Sequence, residues 1–161
     1  MLIKDILIIG ASRGIGKHLA ENLNVENNVL GTYSNRKPVG NIKFTHLNLE
    51  EWNSITSFIE YIPSNLDAII FNAGINIRGD FLEMTMEDYD KVMGVNLRSY
   101  VFLIQGLEKA NKIKEGSRLI FVSSVSSQYY VPTTCHYMLS KVGINALVKF
   151  CKYVPCKVNL I

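Results

Sequence analysis

The chain has 161 residues, 48% of them hydrophobic and 19% charged, with a formal net charge of +3. That length suits one domain over residues 1–161, and a mixed, weakly basic charge with no Lys/Arg run among aromatics excludes a nucleic-acid binder. No apolar stretch is long enough for a bilayer, so no membrane partner is expected, and the three cysteines (Cys135, Cys151 and Cys156) lack metal-site spacing.

No signal-peptide pattern precedes the first strand, so the protein is expected to be cytoplasmic with reduced thiols and no metal. Residues 6–9, Ile-Leu-Ile-Ile, read as that strand, and a helical pattern covers residues 17–23. A second strand spans 28–33 and a third 42–47, and residues 51–61 carry Trp52, Ile55, Phe58 and Ile59 on one helical face. A fourth strand covers 66–71. Thr85 reads as an N-cap with Glu87 and Asp88 in the first turn, opening a helix that runs to about Ala110 with a break at Gly94. A fifth strand is expected at 118–122, a last helix at 140–152 and a sixth strand at 157–161. Strands alternating with helices predict an α/β fold with a doubly wound parallel sheet, helices on both faces and ligands at the carboxyl ends of the strands.

The segment Gly10-Ala11-Ser12-Arg13-Gly14-Ile15-Gly16 joins the first strand to the first helix. Gly10 permits a tight turn, and Gly14 and Gly16 let phosphate and sheet approach the backbone. The helix then offers free N–H groups and its positive dipole end to an anion. The spacing is G-x-x-x-G-x-G, without the Gly-Lys-Ser/Thr of a P-loop. Alone, it also fits a glycine-rich turn that binds nothing.

A second stretch is Tyr137-Met138-Leu139-Ser140-Lys141. On a helix, Tyr137 and Lys141 share a face. An ammonium beside a phenol favours phenolate, and such a tyrosine can exchange a proton with a carbonyl or alcohol oxygen. The alternative is a solvated Tyr/Lys pair. Ser124 follows a buried strand and precedes Tyr137 by one loop, so its hydroxyl could reach the same oxygen. For Ser123–Ser127 the alternative is a polar loop, and for Asn96 alone a helix-breaking polar residue.

These pieces, with Asn72-Ala73-Gly74 and Val95-Asn96-Leu97, occur in the order and separations of one family. The chain resembles the classical short-chain dehydrogenase/reductases across nearly its whole length. The resemblance implies a Rossmann-type sheet and hydride transfer between a nicotinamide and an alcohol or carbonyl, the small-molecule partner. It implies a catalytic set of Asn96, Ser124, Tyr137 and Lys141. Tyr137 would be the general acid, Lys141 would hold the nicotinamide ribose, Ser124 would bond the substrate oxygen, and Asn96 would hold a water linking Lys141 to solvent. The cofactor would contact Gly10, Ser12, Arg13, Gly14, Ile15 and Gly16. It would also contact Tyr33, Ser34 and Arg36, then Asn48 and Leu49, then Asn72, Ala73 and Gly74, with Tyr137 and Lys141 at the nicotinamide end.

Two departures stand out. Asn48 occupies the place of an acidic residue near the adenine. The chain also ends where relatives continue into a Pro-Gly turn, a substrate loop and a seventh strand, so the competing expectation is a truncated, catalytically impaired member. Of the substrate pocket only residues 126–134 remain, with Tyr129, Tyr130 and Pro132. Tyr33 stands where NAD-preferring relatives carry an acid, so the expected cofactor is NADP(H), its 2′-phosphate flanked by Arg13 and Arg36. The alternative is two solvated arginines. Apolar residues on more than one face of 100–104 and 142–150 predict a homo-oligomer.

Overall fold

The structure, a computed structural model, describes residues 2–129, 131–151 and 156–161. Tyr130, expected in the pocket wall, and Lys152, expected to end the last helix, lie outside the described residues. Among the described residues the strands are β1 (Asp5–Ile9), β2 (Asn28–Tyr33), β3 (Lys43–His46), β4 (Leu66–Phe71), β5 (Ile113–Phe121) and β6 (Lys157–Leu160). The α-helices are α1 (Gly14–Leu23), α2 (Trp52–Tyr61), α3 (Met86–Met93), α4 (Ser99–Lys109) and α5 (Cys135–Phe150).

All six strands are parallel, in the order β3-β2-β1-β4-β5-β6. The chain therefore starts in the middle of the sheet and winds outward through β2 and β3. It then returns to the other side of β1 through β4, so the turns after β1 and β4 diverge and leave a crevice at their carboxyl ends. This is the Rossmann-type arrangement expected from the alternation of elements.

Alternation along each strand sorts the core into two layers. Leu7, Ile9, Ile69, Phe71, Leu119 and Phe121 pack with Phe58 of α2, Tyr100 and Leu103 of α4 and Ile144 of α5. Ile6, Ile8, Val29 and Ile70 pack instead with Ala20 of α1. The aromatic centre of the larger layer is a stack of Phe71 on Phe121 at 4.6 Å, with Tyr100 tilted against Phe71 at 4.9 Å. Burial of this kind contributes roughly 1.5–3 kcal/mol per large apolar side chain. Close packing needs small residues at two crossings. A Cβ on Gly106 would lie 2.4 Å from Ile59 Cδ1, and one on Gly143 would lie 2.5 Å from Leu97 Cδ2.

Several boundaries differ from the sequence reading, among them α1, which begins at Gly14 rather than 17, and β3, which covers Lys43–His46 rather than 42–47. β5 begins at Ile113 rather than 118, because charged Lys114 and Glu115 hide the apolar pattern and the register slips opposite Leu66 and Ala68, with Gly116 at φ +75°. α5 begins at Cys135 rather than 140. His136 and Tyr137 are weak helix formers that blur its first turn, and the Thr134 hydroxyl turns back to the Val131 carbonyl at 2.9 Å instead of capping. The break at Gly94 is a π turn, Gly94–Arg98, between α3 and α4. No helix among the described residues is long and apolar enough to cross a membrane.

Candidate active site

The glycine turn is held from three sides. The Gly10 N–H donates to Thr32 Oγ1 at 2.8 Å, the Gly10 carbonyl accepts from Asn72 Nδ2 at 2.7 Å, and Ala11 N–H bonds the Thr32 carbonyl at 2.9 Å. Gly10 itself has φ +84°, and a Cβ there would sit 2.6 Å from Ala73 Cα. Gly16 is buried behind the turn, where a Cβ would lie 2.0 Å from the Gly10 carbonyl oxygen. Gly14 differs: φ is +54°, but nothing lies within 4 Å of its missing side chain. α1 starts there with Arg13 as N-cap, no side-chain cap and no acidic residue in the first turn. Its first N–H groups and positive dipole end are therefore open to an anion.

An open cleft of about 370 Å³ lies over this turn. It brings together Gly10, Ser12, Arg13, Gly14 and Ile15 from the turn, Tyr33 and Ser34 from the end of β2, Asn48 and Leu49 beyond β3, and Asn72, Ala73 and Gly74 beyond β4. Gly16, Arg36, Tyr137 and Lys141 are not in its lining: Gly16 supports the turn from behind, Arg36 is exposed past the end of β2, and Tyr137 and Lys141 belong to the neighbouring α5. The lining also includes Thr32, Asn35, Ile75 and Val95, which the sequence reading did not select. Asn48 already serves its own turn, accepting from Glu50 N–H at 3.1 Å and donating to Glu51 Oε1 at 2.8 Å. Tyr100, buried in the core, donates its hydroxyl to the Ala73 carbonyl, and burial pushes its phenol up. That bond ties the β4 end of the cleft to α4.

A second cluster adjoins the cleft at Gly74. A Cβ on Gly74 would lie 3.3 Å from Asn96 Oδ1 and 3.8 Å from Lys141 Nζ, so glycine keeps this gap open. Asn96, fully buried in the π turn, accepts from Ile75 N–H at 2.8 Å and donates to the Ile75 carbonyl at 2.9 Å and to Ser140 Oγ at 3.0 Å. Lys141 is 3% exposed; it donates to the Val122 carbonyl at 2.9 Å and lies 5.6 Å from the centre of the Tyr137 ring. Desolvation lowers its pKa to about 8.

The two serines after β5 separate by their bonds. Ser123 Oγ donates to Asn145 Oδ1 at 2.7 Å, which fixes it as a structural link. Ser124 Oγ accepts from Ser126 N–H at 3.1 Å, capping a single 3₁₀ turn, and its own proton has no acceptor among the described residues. His136, next to Tyr137, is buried with both ring nitrogens unpartnered among the described residues. No group of three or more His, Cys, Asp or Glu among the described residues could hold a metal ion.

A glycine turn that opens an uncapped helix at the sheet's switch point lies beside a buried lysine one helical turn from a tyrosine. The family model of the short chain dehydrogenases matches residues 4–153, and the chain belongs to that family of oxidoreductases. It is 33% identical over 162 aligned residues to 3-oxoacyl-[acyl-carrier-protein] reductase FabG of Rickettsia typhi, covering 93% of this chain and 66% of that one. Among solved structures, a short chain dehydrogenase family protein from Francisella tularensis superposes with a TM-score of 0.86 at 30% identity, over 93% of this chain and 63% of the other. The landomycin C-6 ketoreductase LanV, with NADP and rabelomycin bound, superposes with a TM-score of 0.85 at 25% identity, over 98% of this chain and 74% of LanV. The chain thus spans just under two thirds of the length of the Rickettsia relative it matches.

Proposed function

We propose that the chain moves hydride between NADP(H) and a small carbonyl or alcohol, with Tyr137 as the general acid of reduction and the general base of oxidation. The observation that carries this reading is the buried Lys141 ammonium, set 5.6 Å from the Tyr137 ring at the edge of the glycine cleft.

The residues fit a dinucleotide. The uncapped start of α1 and the open space at Gly14 suit the diphosphate, and Asn72 to Gly74 suit the adenosine ribose. No carboxylate stands at the end of β2 to meet a ribose 2′-hydroxyl. Arg13 and Ser34 line the cleft there, and a guanidinium fork suits a 2′-phosphate. LanV, which binds NADP, supports the same cofactor here. Lys141 retains protons beyond the one given to Val122, enough to hold the nicotinamide ribose hydroxyls.

When bound, the reduced nicotinamide supplies the hydride to the carbonyl carbon. Negative charge then grows on the carbonyl oxygen, and the Tyr137 hydroxyl delivers its proton to that atom. Ser124, whose O–H has no acceptor among the described residues, bonds the same oxygen. The Lys141 charge stabilises the tyrosinate that remains. Asn96 Oδ1 has one lone pair unused and faces the gap at Gly74, where a water would return the proton to the pair.

The test is single-turnover reduction of a panel of ketones, followed by nicotinamide absorbance, in the parent and in Tyr137→Phe. The expected result is reduction by the parent alone. A parent that binds NADPH yet reduces nothing, or a Phe variant at the parent rate, would end this reading.

A further inference from the structure

Ser140 sits between Tyr137 and Lys141 in sequence, is fully buried, and is not needed for proton transfer as described above. Its hydroxyl accepts from Asn96 Nδ2 at 3.0 Å and donates to the Tyr137 carbonyl at 2.7 Å. The direction is fixed by chemistry: an amide nitrogen can only donate, so the serine proton must go to the carbonyl. The result is a one-way chain from the Asn96 N–H through the Ser140 O–H to the Tyr137 C=O. Bonds in such a chain polarise one another, and here both side chains are shut away from water.

The chain joins three separate pieces of structure. Asn96 is also bonded to both polar groups of the Ile75 backbone, just past β4. Ser140 therefore connects the end of β4, the π turn and the first turns of α5. It takes up the second amide proton of Asn96, which leaves Oδ1 directed at Ile75 N–H and at the gap beside Lys141. We propose that Ser140 is a positioning residue, whose hydroxyl locks the Asn96 amide and the Tyr137 main chain into one unit and so sets the phenol against Lys141 and the substrate. The inference rests on the proposed reaction for its catalytic consequence, but the linkage itself exists in the free protein.

The experiment compares the parent with Ser140→Ala and Ser140→Thr. Alanine deletes both bonds and keeps the helix; threonine keeps the hydroxyl. The Asn96 side-chain amide and the Tyr137 ring signals are followed by NMR, assigned through Asn96→Asp and Tyr137→Phe. In Ser140→Ala both sets should shift and the amide protons should lose exchange protection, and threonine should restore them. In turnover, kcat should fall about tenfold with the NADPH KM unchanged, the scale seen when an orienting partner is removed. Unmoved Asn96 and Tyr137 signals in Ser140→Ala would overturn the proposal. So would an unchanged kcat in an active parent, which would leave the hydroxyl as helix packing only. A parent with no turnover refutes the reaction rather than the linkage, which the NMR signals then decide.

Discussion

The Lys141 ammonium lies 5.6 Å from the centre of the Tyr137 ring and hydrogen-bonds the Val122 carbonyl at 2.9 Å. One helical turn and one strand end thus hold the pair, and the phenol hydroxyl has no hydrogen-bond partner among the described residues. Removing that hydroxyl should affect rate without affecting cofactor hold. In Tyr137→Phe the single-turnover rate should fall roughly 10²–10⁴-fold, with NADPH affinity within about threefold of the parent. Equilibrium titration and rapid mixing on the same samples check both halves. A matched loss in both would move Tyr137 from catalysis to binding.

Lys141 carries a pH signature. Desolvation lowers its folded pKa to about 8, below the ordinary lysine value of 10.5. Below about pH 8 both folded and unfolded chains are protonated there, and the burial penalty is present in full. Between about 8 and 10.5 the folded chain loses the proton first, so the unfolded chain binds more protons and this group's contribution to stability rises with pH. Lys141→Met should abolish that rise, read as the difference in Tm between parent and variant across the window. NADPH affinity of the parent should fall over the same window as the ammonium is lost. A difference in Tm that stays flat with pH would refute the burial argument.

The glycines of the turn should respond unequally. At Gly16 an added methyl meets the Gly10 carbonyl oxygen at 2.0 Å and Asn72 Nδ2 at 2.5 Å, both parts of the turn itself. At Gly14 it meets nothing, and only the positive φ of +54° opposes it. Gly14→Ala should therefore cost roughly 1–2 kcal/mol, the strain of a left-handed residue. Gly16→Ala should cost about 3 kcal/mol or more, beyond the ordinary range for overpacking, because backbone must move. Urea unfolding of the two variants gives the comparison. Equal losses would mean the turn is softer than its contacts imply.

Asp67 stands at the amino end of the sheet, away from the cleft. It accepts from Asp5 N–H at 3.0 Å, from Lys114 at 3.1 Å and from Lys4 at 3.3 Å. The Asp5 backbone bond, and then the two lysines, outweigh its partial burial and hold its carboxyl below the usual value of 3.8. A lowered carboxylate contributes stability that is present above the unfolded pKa and is lost as pH falls through the folded one. Asp67→Asn should lower Tm at pH 7, with the gap closing as the pH drops below 3.8 and no change in NADPH affinity. A gap that persists in acid would point to packing instead of charge.

Self-association is the last expectation. Val101 and Phe102 of α4 are 39% and 37% exposed, and Leu139 and Val142 of α5 are 41% and 45% exposed. We expect these two helices to carry a contact between copies, since apolar side chains of this size gain from leaving water. Phe102→Glu with Val142→Glu should shift sedimentation toward the monomer while leaving far-ultraviolet circular dichroism unchanged. A parent that sediments as a monomer at micromolar concentration would contradict it.

What the sequence determined by itself was local. Apolar runs, a cap at Thr85 and the glycine turn set the order of strands and helices, and strands 28–33 and 66–71 fall where the pattern put them. The four-residue step from Tyr137 to Lys141 already placed both on one helix face. The tertiary structure decided what joins across long separations. Thr32 pins Gly10 from 22 residues away, Asn72 grips the same glycine from 62, and Asn96 meets Ser140 from 44. It also tied Ser123 Oγ to Asn145 Oδ1 from 22 residues away, while Ser124 Oγ caps the turn that follows it. Arg36 and Gly16 fell outside the cleft, and Asn35 and Ile75 fell inside. Periodicity and turn chemistry act over a few residues, whereas hydrogen-bond partners and burial are settled only when the sheet brings distant segments together.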